Sequence, residues 1–406
     1  MYLAVEADLC TGGVFLKVLI ITATIGQGHN AVARSIANEL RERKIPCKIL
    51  DMYRYFSPAL QKIVQGGYLI SIKSVAAMRA RKIGEKYYDA MEKGYKPLNE
   101  HTFARVKNLP FARQLKKYLD EYQPDVIICT QVYCVHIIDT IKSRGWIDVP
   151  VFGIDTDFTV QAHWQGNDYI DYIVTASKGL TGQLLVKKVP KEKILPFGIP
   201  ISPKFGTKME KREARELLCL DPDKKTLLIM GGSMGYGNID KTILQLDNLP
   251  FDFQAMVVCG SNLQMRAKLK KLKTKKRFDI YGFSYNIPMM MDACDVMITK
   301  PGGISLSEGL AKRVPMVLAN AIPGMEDRNS SFMVGYGLAL AVSKIYPITQ
   351  AVTDLLTMEG LAERMSENQK EFAHPDSTAV LCDFVIEKGR EFVQAKKAER
   401  EPALNH

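Results

Sequence analysis

The chain has 406 residues, 47% of them apolar and 24% charged, with a formal net charge of +11. That length suits two domains of ordinary size, each with its own core, and the composition excludes a disordered or low-complexity chain. No run approaches the roughly 18 uncharged apolar residues of a membrane span. The eight cysteines have neither CxxC nor zinc spacing, as expected in a reducing cytosol, and the positive balance points to an anionic partner, membrane or nucleic acid.

Residues 1–14 carry Glu6 and Asp8 and lack a basic start, so they are expected to be a disordered leader and not a signal peptide. An unbroken apolar run from Phe15 to Ala23 predicts a strand buried on both faces of a parallel sheet. It leads into Gly26-Gln27-Gly28-His29, a helix from Ala31 to about Arg43, and a strand over Cys47–Asp51, which together make a first βαβ unit. The Gly-x-Gly pair lets backbone approach a ligand closely and puts His29 at the mouth of the helix. There, His29 serves either as a solvated capping residue or as a group that titrates near neutral pH. Ala31 stands where a dinucleotide fingerprint needs its third Gly, which argues against NAD.

Between Arg54 and Lys117 the α/β rhythm breaks. This stretch is predicted to be a helical excursion, and its fourteen Lys and Arg against four acids give +10 of the total +11. Tyr55, Phe56, Tyr68, Tyr87, Tyr88 and Phe103 lie among those charges, a mixture suited to a lipid headgroup boundary. Regular alternation resumes with strands predicted over Asp125–Thr130, Val149–Ile154 and Tyr172–Ala176 and a helix over Val135–Lys142. Asp155-Thr156-Asp157 invites a metal reading, but paired carboxylates of that kind belong to a fold without two Gly-rich Rossmann halves. His163 and Trp164 either pack their loop or line a binding site.

The Pro/Gly-rich passage Leu195–Ile201 is the expected linker between domains. Beyond it, strands over Thr226–Met230, Ala255–Cys259, Phe278–Tyr281 and Asp295–Thr299 each open into small residues: Gly231-Gly232-Ser233, Gly260-Ser261, Gly282-Phe283 and Lys300-Pro301-Gly302-Gly303. Open α/β sheets place ligands at such strand ends. The turn at Gly302-Gly303 starts a helix with Ser305 and Ser307 in its first turn, a setting suited to a phosphate, and Glu308 lies one turn further, within reach of sugar hydroxyls. No P-loop Lys-Ser/Thr follows Gly231–Gly237, which disfavours ATP hydrolysis. The basic run Arg266–Arg277 reads as a solvated face, and one amphipathic helix is expected from Ser377 to about Ala395, ahead of a polar tail over 396–406.

Lys300-Pro301-Gly302-Gly303 with Ser307-Glu308, followed by Pro323-Gly324-Met325-Glu326 and Asn329, resembles the donor half of the GT-B glycosyltransferases that act on diacylglycerol. These are the bacterial processive diacylglycerol glucosyltransferases and the plastid monogalactosyldiacylglycerol synthases. Gly26–His29 matches that family's first loop, and Thr156-Asp157-Phe158 with His163-Trp164 is similar to a pattern beside its cleft. Met325 stands where the family has Gln.

The resemblance covers most of residues 16–390. It implies two doubly wound Rossmann-like α/β domains facing a central cleft: an acceptor domain over 15–200, a UDP-sugar domain over 201–376, and a helix over 377–395 crossing back to the first. It implies His29 as general base. For the donor it implies Gly231, Gly232, Ser233, Gly282, Phe283, Lys300, Gly302, Gly303, Ser305, Ser307, Glu308, Glu326 and Asn329. For the acceptor it implies Gly26, Gly28, Asp155, Asp157, His163 and Trp164. The expected reaction is inverting transfer of a hexose from a UDP-sugar to a diacylglycerol-type lipid. It would take place at the cytoplasmic face of the cell membrane, without metal, cofactor or nucleic acid. The rivals are a UDP-N-acetylglucosamine 2-epimerase, a GT-B enzyme with another acceptor, and a non-catalytic basic protein that binds nucleic acid.

Overall fold

The computed structural model describes residues 16–24, 27–57, 97–235, 237–322 and 324–400, with residues 97–107 and Arg400 described as backbone. The expected leader, Gly26, Pro323, residues 58–96 of the basic excursion and residues 401–406 lie outside the described residues.

Two parallel six-stranded sheets carry the chain. The first is ordered β2-β1-β3-β4-β5-β6, from β1 (Val18–Thr22), β2 (Cys47–Asp51), β3 (Val126–Cys129), β4 (Val151–Ile154), β5 (Tyr172–Val174) and β6 (Ile194–Leu195). The second is ordered β12-β11-β10-β7-β8-β9, from β7 (Thr226–Met230), β8 (Gln254–Val258), β9 (Arg277–Tyr281), β10 (Val296–Thr299), β11 (Met316–Leu318) and β12 (Leu340–Ala341). Every residue of β1, β3, β4, β7, β8 and β10 is buried. Unbroken Val/Leu/Ile/Met runs produce this when helices cover both faces of a parallel sheet.

Each sheet reverses its winding once, between β1 and β3 in the first and between β7 and β10 in the second. At such a reversal the connections leave toward opposite faces and open a crevice at the strands' carboxyl ends. The helix Gly28–Glu42 and Thr130 flank the first crevice; Gly231–Ser233 and Lys300–Gly303 flank the second. The two carboxyl edges face one another. A Cβ on Gly28 would lie 3.3 Å from Ile304, and one on Gly303 would lie 1.9 Å from the carbonyl oxygen of Thr156.

The passage Leu195–Ile201 is more than a linker. It begins in β6, Ile199 and Ile201 are buried, and their carbonyls accept from Ser377 Oγ (2.9 Å) and Thr378 Oγ1 (2.6 Å). Those two residues open the helix Ser377–Arg400, which runs past the expected end at Ala395 and packs on the helix Gly28–Glu42 through Cys382 and an Arg43–Asp383 ion pair. One hydrophobic core is continuous from Leu19 and Val126 to Met297 and Leu306, so the two units share an interior.

Lys312 closes the same junction. Its side chain is 1% exposed, and Nζ donates to Asp292 Oδ2 at 2.6 Å and to the carbonyl of Thr207, just beyond the passage. Removing one member of a buried pair leaves the other charge uncompensated, at a cost of about 3–5 kcal/mol, whereas an apolar side chain of similar volume replacing both is often tolerated. Lys312→Ala is therefore expected to lose about 3–5 kcal/mol in chemical denaturation. The double change Lys312→Met with Asp292→Leu should lose much less; equal losses would contradict the assignment.

Candidate active site

His29 is the second residue of its helix, and Asn30 fixes that turn by accepting from Thr22 Oγ1 (3.0 Å) and donating to Thr24 Oγ1 (2.9 Å). His29 Nδ1 lies 2.8 Å from the carbonyl oxygen of Thr130, at the end of β3, and 3.2 Å from Thr156 Oγ1, beyond β4. A carbonyl only accepts, so Nδ1 carries the proton and Nε2 keeps its lone pair. Burial lowers the pKa of His29 to about 4, and the Thr130 carbonyl offsets only part of that shift. The ring is therefore neutral over the whole physiological range, with a basic nitrogen available. Thr130 and Thr156 were not singled out from the sequence. Their signal was positional: Thr130 ends the strand beside β1, and Thr156 sits inside the Asp-x-Asp whose carboxylates are more conspicuous.

Two carboxylates flank Thr156 in the same loop. Asp155 is 2% exposed, and burial first and Asp157 second push its carboxyl well above the usual range. Asp157 is also raised by burial, an effect opposed by Asn329 and Lys300. Asn329 is fully buried. It donates to Asp157 Oδ1 (2.9 Å) and the Pro301 carbonyl (3.0 Å), while its Oδ1 accepts from the Phe158 amide (2.8 Å). With both donors engaged, Asn329 joins the loop after β4 to the loop after β10. Trp164 is likewise buried, packed on Gly153, where a Cβ would lie 2.8 Å from its ring. His163 remains partly open, grouped with Tyr133 and His136 at centroid distances of 5.8 and 5.9 Å. Among the described residues, no group of three or more His, Cys, Asp or Glu could hold a metal ion.

Across the cleft, Lys300 passes beside Gly232, where a Cβ would lie 2.9 Å from its Cε, and pairs with Glu326. Glu326 also accepts from the Ile322 amide (2.8 Å). The loops after β7 and β8 interlock so tightly that a Cβ on Gly235 would lie 2.1 Å from the Cys259 carbonyl, and Ser261 N donates to Ser233 O at 2.8 Å. Gly302 is the N-cap of the helix Gly303–Lys312, in which Ser307 is buried and Ser305 half-buried. Free amides at that end and the Lys300 ammonium make the crevice attractive to a diphosphate. Glu308, one turn in, is pushed up to about 8 by burial and so holds a proton at neutral pH. Gly282 and Phe283 end the outer strand β9, where Phe283 is 57% exposed and edge-on to Tyr285 at 5.1 Å.

The two shifted groups bend the pH–stability curve in opposite senses. His29 titrates lower in the folded state, so its contribution is present above pH 6.5 and is lost as the pH falls toward 4. Glu308 titrates higher, so its contribution is present below pH 4.5 and is lost as the pH rises through 8. Glu308→Gln, which stays neutral, should match the parent Tm near pH 4.5 and exceed it by several degrees at pH 8.5. An equal Tm at both pH values would show that Glu308 is solvated.

Residues 29–201 match the family model for monogalactosyldiacylglycerol (MGDG) synthase, and residues 210–372 match that for glycosyl transferases group 1. The chain is 28% identical over 389 residues to a processive diacylglycerol beta-glucosyltransferase of Bacillus subtilis (strain 168), spanning 94% of this chain and 98% of that one. In fold it is similar to MurG of Acinetobacter baumannii, with a TM-score of 0.62 at 13% identity over 92% of this chain and 99% of that one. A UDP-GlcNAc 2-epimerase from Neisseria meningitidis gives 0.55 at 14% identity, over 92% and 100%. Those two likenesses speak for the fold; the sequence matches carry the family. The chain is a GT-B glycosyltransferase and belongs to the family that contains the monogalactosyldiacylglycerol synthases and the processive diacylglycerol glucosyltransferases.

Proposed function

We propose that this enzyme transfers a hexose from a UDP-sugar to the hydroxyl of a diacylglycerol-type lipid at a membrane surface, with inversion and without a metal ion. The observation that carries this reading is His29, its Nδ1 held by the Thr130 carbonyl so that Nε2 keeps its lone pair, on a helix start packed against the start of the helix Gly303–Lys312. The matches to lipid glycosyltransferases supply the acceptor class.

In this reading Nε2 removes the acceptor's hydroxyl proton as the oxygen attacks the anomeric carbon from the face opposite UDP. The carbon–oxygen bond to the diphosphate breaks, and UDP leaves with the electron pair. Charge that grows on the diphosphate is met by the first-turn amides of the helix from Gly303, by the Gly231–Ser233 loop and by Lys300. Glu308, protonated at neutral pH, meets the ribose hydroxyls, accepting from one through its carbonyl oxygen and donating its own proton in a hydrogen bond to the other. Glu326, tied to Lys300, borders the sugar.

The assay is incubation with UDP-glucose, UDP-galactose and UDP-N-acetylglucosamine plus diacylglycerol, followed by lipid chromatography. Conversion of the nucleotide sugar with no lipid present would indicate an epimerase instead. His29→Ala should depress kcat by about 10²–10⁴-fold while leaving UDP binding nearly intact. The acid limb of parent activity should fall near pH 4, not 6.5, because burial lowers the pKa of the base. Near-normal turnover in His29→Ala would remove it from the mechanism.

The proposed membrane contact is the basic stretch 54–117. Its described part includes Tyr55, Phe56 and Phe111 in one aromatic cluster, with Phe111 38% exposed, beside Arg113, Lys116 and Lys117. Each cation near an anionic leaflet contributes on the order of 1 kcal/mol. Among the described residues no helix is long and apolar enough to cross a membrane. The protein should co-sediment with anionic liposomes and be released by high salt. Equal binding to neutral vesicles, or binding that survives reversal of five of these charges, would contradict a charge-driven contact.

A further inference from the structure

We infer that Thr156 is a positioning residue for the catalytic base, and that the donor half of the enzyme sets it through Gly303 and Asn329. The inference rests on the reading of His29 as base. Its ground is a chain of contacts that runs through one short loop.

The loop leaves β4 at Ile154, and Thr156 is 8% exposed in it. Its hydroxyl oxygen lies 3.2 Å from His29 Nδ1, the nitrogen that also faces the Thr130 carbonyl at 2.8 Å. One N–H thus has two oxygen acceptors, one main-chain and one side-chain. When Nε2 takes the acceptor's proton the ring becomes cationic, and both oxygens then bind a charged donor. Hydrogen bonds of that kind are roughly twice as strong as neutral ones. Ser-His-Asp triads give the position behind the imidazole to a carboxylate. Here a carbonyl and a hydroxyl hold it, and Asp155 and Asp157 on either side of Thr156 are themselves shifted toward their neutral forms.

The same residue touches the donor half. The carbonyl oxygen of Thr156 occupies the space that a side chain at 303 would need, 1.9 Å from an ideal Cβ. The next two residues are held by Asn329, which donates to Asp157 and accepts from the Phe158 amide. The hydroxyl therefore sits within reach of His29 while the donor helix is docked against the loop. The position of Thr156 links presence of the donor half to orientation of the base.

The test is a set of variants read for kcat, for KM toward UDP-sugar and for UDP binding by calorimetry. Thr156→Val keeps the shape and removes the oxygen. It should lower kcat roughly tenfold, the size expected for a hydrogen bond to a charged group, with KM and UDP affinity unchanged. Thr156→Ser should restore most of the rate, and Thr156→Ala should behave like Val if Val proves unstable. In a His29→Ala background, Thr156→Val should cost nothing further, because its partner is gone. Full activity in Thr156→Val, or a loss that persists in the His29→Ala background, would overturn the inference. Near-normal turnover of His29→Ala alone would instead overturn the assignment of the base.

Discussion

Gly303 has no side chain, and the carbonyl of Thr156 fills the place where one would stand. This backbone-to-backbone approach brings the end of β4 in one sheet to the start of a helix in the other. Much of the site depends on it. Asn329 secures the approach with three hydrogen bonds spanning both loops, and Ile304 packs at Gly28 beside His29. A cleft built this way is specific in geometry because backbone, unlike a long side chain, cannot swing aside.

The electrostatics of the cleft follow from burial. Burial holds His29 neutral and Glu308 protonated, so neither of these two groups carries the charge its residue type would suggest. Desolvation is the leading cause of both shifts, and it makes each group responsive to what enters. A hydroxyl donor beside Glu308 would favour its ionised form, and in the proposed reaction the acceptor's proton goes to the His29 lone pair. Asp155, buried, and Asp157, half-buried and tied to Asn329, are the carboxylates most visible in the sequence, and desolvation shifts both toward their neutral forms.

Much of this was legible in the sequence because parallel sheets covered on both faces advertise themselves. The runs at 18–22, 126–129 and 226–230 are unbroken apolar or β-branched segments, and each became a strand, as did the more mixed Cys47–Asp51 and Val151–Ile154. The small residues that follow them mark the crevices, and Gly231, Gly302 and His29 stand at those strand ends. The two-residue strands β6 and β12 could not be seen, since so short a pairing is decided by tertiary packing and not by local pattern. Thr130 and Thr156 were missed for a related reason: their value lies in strand order, which brings residues 29, 130 and 156 together. Trp164 is buried, as the packing alternative for its loop had it, whereas Asn329 was visible as a residue type but not as a buried one.

The proposed reaction is a single displacement at the anomeric carbon, with a neutral histidine as base and no divalent cation. The most direct measurement is proton NMR of the glycolipid formed from an α-linked UDP-hexose in the presence of a chelator. The account predicts steady turnover and a β-linked product identified by its anomeric coupling. An α-linked product, or turnover that returns only when a divalent cation is restored, would contradict it.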